Sequence, residues 1–145
     1  MSFESALKFS LLWEGGEKYT NDPDDPGGET KYGISKRAHP TEDIKNLSYE
    51  RAAQLYRPGY WFEGLSEPLA TVAFDTAVNV GRGRVSRWLE PLETMDPVTA
   101  AKALCDRRAE HYREIMKKNP KLLKYRNGWF NRLNALRKHA GLGTA

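Results

Sequence analysis

Trp13-Glu14-Gly15-Gly16-Glu17-Lys18-Tyr19-Thr20-Asn21-Asp22-Pro23-Asp24-Asp25-Pro26-Gly27-Gly28-Glu29-Thr30-Lys31-Tyr32-Gly33-Ile34-Ser35 is a stretch in which no regular helix can persist. Its prolines remove backbone donors, and its paired glycines and Asp-Pro steps favour turns. The residues before it behave in the opposite way. Phe3, Ala6, Leu7, Leu12 and Trp13 lie at helical spacing and predict an amphipathic helix over residues 2–13. Gly15 and Gly16 end that helix. Glu14 therefore stands in its last turn, at the mouth of a loop rich in carboxylates. Within the loop, residues 29–35 read as a short strand or hairpin beside residues 18–21.

Downstream the pattern is helical almost throughout. Ser48 is a good N-cap for a helix over residues 49–55 that ends near Pro58. Residues 67–80 are apolar on nearly every side, which marks a buried central helix. Gly81 and Gly83 end it, and a short helix follows over residues 85–89. Asp96-Pro97 combines an N-cap with proline at the first helical position, so a long helix starts there and runs to about Lys118. The last helix covers residues 129–139. The chain is thus mainly α, with one small irregular or β-hairpin segment near the N-terminus.

Composition narrows the possibilities. With 145 residues, 39% hydrophobic and 29% charged, the chain can bury a core without disulfides or metals. The apolar run over residues 6–13 is interrupted by Lys8 and Ser10 and is far shorter than the ~20 residues of a membrane span. It also lacks the layout of a signal peptide. The single cysteine, Cys105, excludes an internal disulfide and reads as an inert buried thiol. His39, His111 and His139 are scattered, so no structural metal is expected.

Charge is unevenly spread: residues 1–50 carry net −4, residues 51–100 net −1 and residues 101–145 net +9. The acidic and basic parts suit different tasks, and a basic tail suits a polyanionic partner. A functional division follows, with a catalytic region over residues 1–95 and a basic helical region over residues 96–145 packed against it.

Two constellations could carry chemistry. Glu14 lies beside Trp13 at a boundary between core and cleft, where partial burial favours the protonated carboxyl that a general acid needs. Asp22, Asp24 and Asp25 follow it. They fail the calcium-loop pattern, because Pro26 and Gly33 occupy ligand positions. Asx-type turns account for one or two of them and leave one to face Glu14. The second constellation is Thr71, Asp75, Asn79 and Arg82, a polar stripe on one face of the apolar central helix. Such a stripe either forms a buried hydrogen-bond network or opens onto a cleft.

Taken together, Trp13-Glu14-Gly15-Gly16, the residue 21–35 loop and Asp75-Thr76-Ala77-Val78-Asn79-Val80-Gly81 resemble the glycoside hydrolase family 108 muramidases. Asn127-Gly128-Trp129-Phe130-Asn131-Arg132-Leu133 resembles the predicted peptidoglycan-binding region that closes such chains. One departure is visible. The family signature has Tyr directly after Gly-Gly, whereas Glu17 and Lys18 here precede Tyr19. The resemblance implies a lysozyme-like, mainly α fold with an α+β element, acting without a cofactor or metal as a monomer.

It also implies a reaction: hydrolysis of the β-1,4 bond between N-acetylmuramic acid and N-acetylglucosamine in peptidoglycan. The family's essential acid maps onto Glu14. The order Glu, Asp, Thr along the chain also resembles the catalytic triad of phage-type lysozymes, which maps the second carboxylate onto Asp25, with Asp22 as the alternative, and the water-holding threonine onto Thr30. Asp22, Tyr32, Asp75 and Asn79 are the expected substrate contacts. An inverting geometry, with carboxyls about 6.5–9.5 Å apart, is the favoured one. Two other functions fit the residues: a lytic transglycosylase acting on the same bond, and a non-catalytic wall-binding or nucleic-acid-binding module built on the basic tail. The expected setting is a phage endolysin, or second a secretion-associated muramidase. It would be made in the bacterial cytoplasm and released to the cell wall by a holin or a secretion route. Its partners there are glycan strands and anionic envelope polymers, with no stable membrane insertion.

Overall fold

The computed structural model describes residues 2–24 and 26–143. Its elements are α1 (Phe3–Trp13), β1 (Thr30–Lys31), β2 (Ile34–Ser35), α2 (Tyr49–Tyr60), α3 (Leu69–Val80), α4 (Arg82–Leu89), α5 (Pro97–Lys118) and α6 (Arg126–His139). Short 3-10 turns cover Glu90–Leu92 and Pro120–Tyr125. The chain forms two compact units. One holds residues 7–59; the other holds residues 60–145 with the first six residues. The residue 95 division drawn from charge falls inside the second unit, where α5 packs along α3.

In the unit of residues 7–59, the anticipated hairpin is present: Thr30 pairs with Ser35 and Lys31 with Ile34, and Thr20 bridges Thr30 antiparallel. Ile34, Ile44 and Leu47 are buried there, with Leu7, Phe9 and Leu11 of α1 and Ala52 and Tyr56 of α2. Ser48 caps α2, its hydroxyl accepting from the Arg51 N–H at 3.1 Å. Arg51 also clasps Glu42 through two 2.8 Å hydrogen bonds, tying the loop to the helix. The expected stop near Pro58 is corrected, since α2 continues to Tyr60. Pro58 lies in the last turn, so its missing N–H deprives only the carbonyl of Gln54, an exposed residue that water can serve.

In the unit of residues 60–143, α3 is central, with every residue from Leu69 to Ala77 buried. It begins two residues later than its apolar pattern predicts. Glu67 is spent on capping: its carboxylate accepts from the Thr71 N–H at 2.8 Å and the Thr71 hydroxyl at 2.7 Å. Gly81, at φ 102°, separates α3 from α4. Asp96 caps α5 as expected, accepting from the Thr99 N–H at 2.9 Å, with Pro97 at the first helical position. α6 begins at Arg126 rather than Trp129, because the preceding 3-10 turn feeds into it without a break. Cys105 is fully buried, and desolvation pushes its thiol up to about 11, which makes it unreactive at neutral pH.

Candidate active site

The backbone around Glu14 is closed by the glycines behind it. The Gly16 N–H returns to the Leu11 carbonyl at 2.7 Å, while Gly15 and Gly16 adopt φ of 90° and 59°. This ends α1 in a tight left-handed cap and holds Glu14, half-buried, at its last turn. The Gly16 carbonyl then accepts the Tyr32 N–H at 3.1 Å, which joins the cap to the tip of the hairpin.

That tip is a two-residue turn with Tyr32 at φ 52° and Gly33 at φ 74°. Two successive left-handed residues make a type I′ turn, which matches the twist of paired strands. Tyrosine rarely adopts this conformation. Here it is held on three sides. The Tyr56 hydroxyl donates to the Tyr32 carbonyl at 2.7 Å, the Tyr49 ring meets the Tyr32 ring edge to face at 6.2 Å, and the N–H is bound to Gly16. Burial, followed by Glu17 and Glu50, holds the Tyr32 phenol above its usual range.

Gly33 is required for space as well as for φ. A Cβ there would lie 3.0 Å from Glu14 Cβ and 3.4 Å from Glu14 Cγ, and would collide with the Tyr56 hydroxyl. The glutamate stem thus rests directly on the hairpin turn. Gly33→Ala is expected to cost about 1–3 kcal/mol through backbone strain and crowding and to lower lytic activity at least tenfold. Thermal unfolding and turbidity assays check both. A variant with the wild-type rate would show that the glutamate does not need this seat.

The other expected residues of this unit are distributed as follows. Thr30 is half-buried in β1, and its hydroxyl donates to the Gly28 carbonyl at 3.3 Å, leaving its lone pairs available. Asp22 is exposed and accepts from the Asp24 N–H at 2.9 Å, the Asx turn anticipated for one of the loop carboxylates. Asp25 lies outside the described residues. The sequence reading missed Glu29, which accepts the Tyr19 hydroxyl at 2.6 Å and raises the Tyr19 phenol. Tyr19, displaced by two residues from the family signature, therefore still locks the loop. The signal for this pairing was the Thr20–Thr30 register, which only the folded hairpin supplies.

Asp75 is corrected from a substrate contact to an internal charge centre of the other unit. It is 1% exposed and held between two guanidinium groups, with Arg108 Nη1 and Arg132 Nη2 each at 2.8 Å. Arg108 Nε also donates to the Tyr112 hydroxyl at 2.7 Å, and that hydroxyl donates to the Asn79 side-chain oxygen. Asn79 thus belongs to the same network. Thr71 is buried against Glu67, and Arg82 donates to the Trp61 carbonyl at 2.9 Å. Within the polar stripe, Asp75 and Asn79 join an interior network whose arginines come from α5 and α6, whereas Thr71 serves the start of α3 and Arg82 is an exposed residue of α4. Among the described residues no group of three or more His, Cys, Asp or Glu side chains gathers as a metal site would.

A glutamate at the end of an amphipathic helix, seated on a β-hairpin, in a chain otherwise helical, has the layout of the lysozyme-like α+β class of glycoside hydrolases. Residues 7–81, more than half of the chain, match the glycosyl hydrolase 108 family, and the chain belongs to that family. It is a glycoside hydrolase of the muramidase type, and peptidoglycan is its substrate class. Its fold is similar to that in a solved structure described as "Structure of Brucella abortus SagA". The TM-score is 0.72 at 23% identity, over 95% of this chain and 92% of that one. No curated protein matches the chain in sequence.

Proposed function

We propose that the chain hydrolyses the β-1,4 bond between N-acetylmuramic acid and N-acetylglucosamine, with Glu14 as general acid. The observation that carries this reading is the seat of Glu14, whose Cβ and Cγ lie against Gly33 in the signature loop. A carboxyl held on rigid backbone can meet a glycosidic oxygen without reorganising. Glu14 donates its proton to the leaving oxygen as the C1–O bond breaks. Asp25 accepts a proton from the attacking water, whose oxygen bonds to C1, and Thr30 holds that water. The result is inversion at C1. Asp22 and Tyr32 contact the sugar from the loop. These residues lie in the catalytic region of residues 1–95, and the basic region of residues 96–145 adds attraction to an anionic envelope. The resemblance favours a phage endolysin as the setting.

Digestion of purified peptidoglycan followed by mass spectrometry tests the reaction. Hydrolysis leaves reducing muramic acid ends. A lytic transglycosylase leaves 1,6-anhydro ends, lighter by one water. Anhydro ends as the main product would overturn the hydrolytic reading. A zymogram without clearing would point instead to a non-catalytic module.

A further inference from the structure

We infer that the turn between α5 and α6 docks on an anionic lipid surface, resting at its interface without crossing it. This goes beyond the hydrolytic reading and does not depend on it. Lys117, Lys118, Lys121, Lys124 and Arg126 cluster around this turn, and all are exposed. No acidic residue follows Glu114, and no ion pair among the described residues takes up any of the five. At the centre of this positive field are two apolar side chains that folding leaves in water, Leu123 at 55% exposure and Tyr125 at 46%.

The turn is also rigidly mounted. The Asn119 side chain accepts the Lys121 N–H at 3.2 Å. Tyr125 stacks on Trp129 with centroids 5.6 Å apart, and Trp129 stacks on Tyr112 at 5.0 Å. Tyr112 is bonded to Arg108 and Asn79 in the buried charge network. An aromatic ladder thus runs from the interior to the turn, so presenting Leu123 requires little new ordering.

Cations around an exposed aliphatic tip match the boundary where lipid phosphates meet acyl chains. Lysines reach the phosphates, leucine enters the acyl edge, and tyrosine sits at headgroup level. A glycan or nucleic acid would engage the lysines, and it would bind an aromatic face rather than a leucine. Tyr125 has Trp129 stacked on it and the Lys124 ammonium 5.1 Å from its centroid, so it offers less open face than Leu123 beside it. No helix among the described residues is long and apolar enough to cross a membrane, which fits surface docking.

The test is co-sedimentation of the full chain with vesicles of phosphatidylcholine alone, or of equal parts phosphatidylglycerol and phosphatidylcholine. The expected result is binding to the mixed vesicles only, weakening as salt shortens the Debye length from about 10 Å at 0.1 M to about 3 Å at 1 M. Lys121→Gln and Lys124→Gln should each weaken partitioning about fivefold. Leu123→Ser should weaken it roughly five- to tenfold, with a thermal midpoint close to wild type. The inference is overturned if the mixed vesicles do not bind. It is equally overturned if the lysine variants lose binding while Leu123→Ser does not, since charge alone then acts. Retention on lipid-free sacculi that the same variants abolish, with no vesicle binding, would assign the patch to the wall polymer instead.

Discussion

Glu14→Gln is expected to fold as the wild type does and to lose lytic turnover by about 10²–10⁴-fold or more. The amide has nearly the shape of the carboxyl, so its stem can keep the contacts with Gly33 that seat Glu14 at the end of α1. It cannot transfer a proton to the leaving oxygen. The variant should therefore show an unchanged thermal midpoint and a collapsed rate on purified peptidoglycan. That combination separates it from Gly33→Ala, which should lower both stability and rate. Near wild-type lysis by Glu14→Gln would move the acid to another residue, and Glu29 would be the first alternative to examine.

Asp75→Ala is expected to have the largest effect on stability. Asp75 is the carboxylate between Arg108 and Arg132, which are 0% and 7% exposed at their side chains. Removing it leaves guanidinium charge buried without its partner, a change that typically costs about 3–5 kcal/mol. For a chain of this size that lowers the thermal midpoint by on the order of 10 °C. The loss should appear in calorimetry before it appears in catalysis at low temperature, where the remaining folded molecules turn over normally. A variant of unchanged stability with a raised KM would return Asp75 to the substrate site.

The Asp75 result also shows where the sequence reading reached its limit. Thr71, Asp75 and Asn79 share a helix face by spacing alone. Spacing says nothing about what lies opposite. Arg108 is 33 residues away from Asp75 and Arg132 is 57 residues away, on two other helices. The apolar character of α3 signalled burial, yet the choice between an open cleft and a closed network depended on those distant arginines.

Local signals fared better. Ser48 and Asp96 cap α2 and α5 because a side-chain oxygen two or three residues from a free N–H needs no tertiary partner. Gly15 and Gly16 ended α1 for an equally local reason, and so Glu14 could be placed at its last turn from the sequence alone. The start of α3 differs from its apolar pattern for a local reason too: the Glu67 carboxylate, four residues before Thr71, caps the helix instead of continuing it.

The sequence by itself determined the helical class, the position of the hairpin and the candidacy of Glu14, since each rests on contacts within a few residues. The folded chain added what those contacts cannot contain. It placed Gly33 against the Glu14 stem, brought the Tyr56 hydroxyl under Tyr32, joined Tyr19 to Glu29 and enclosed Asp75 between two arginines. Each of these joins residues ten or more positions apart. Their meeting depends on strand register and helix packing, which arise only when apolar surface is buried cooperatively across the whole unit.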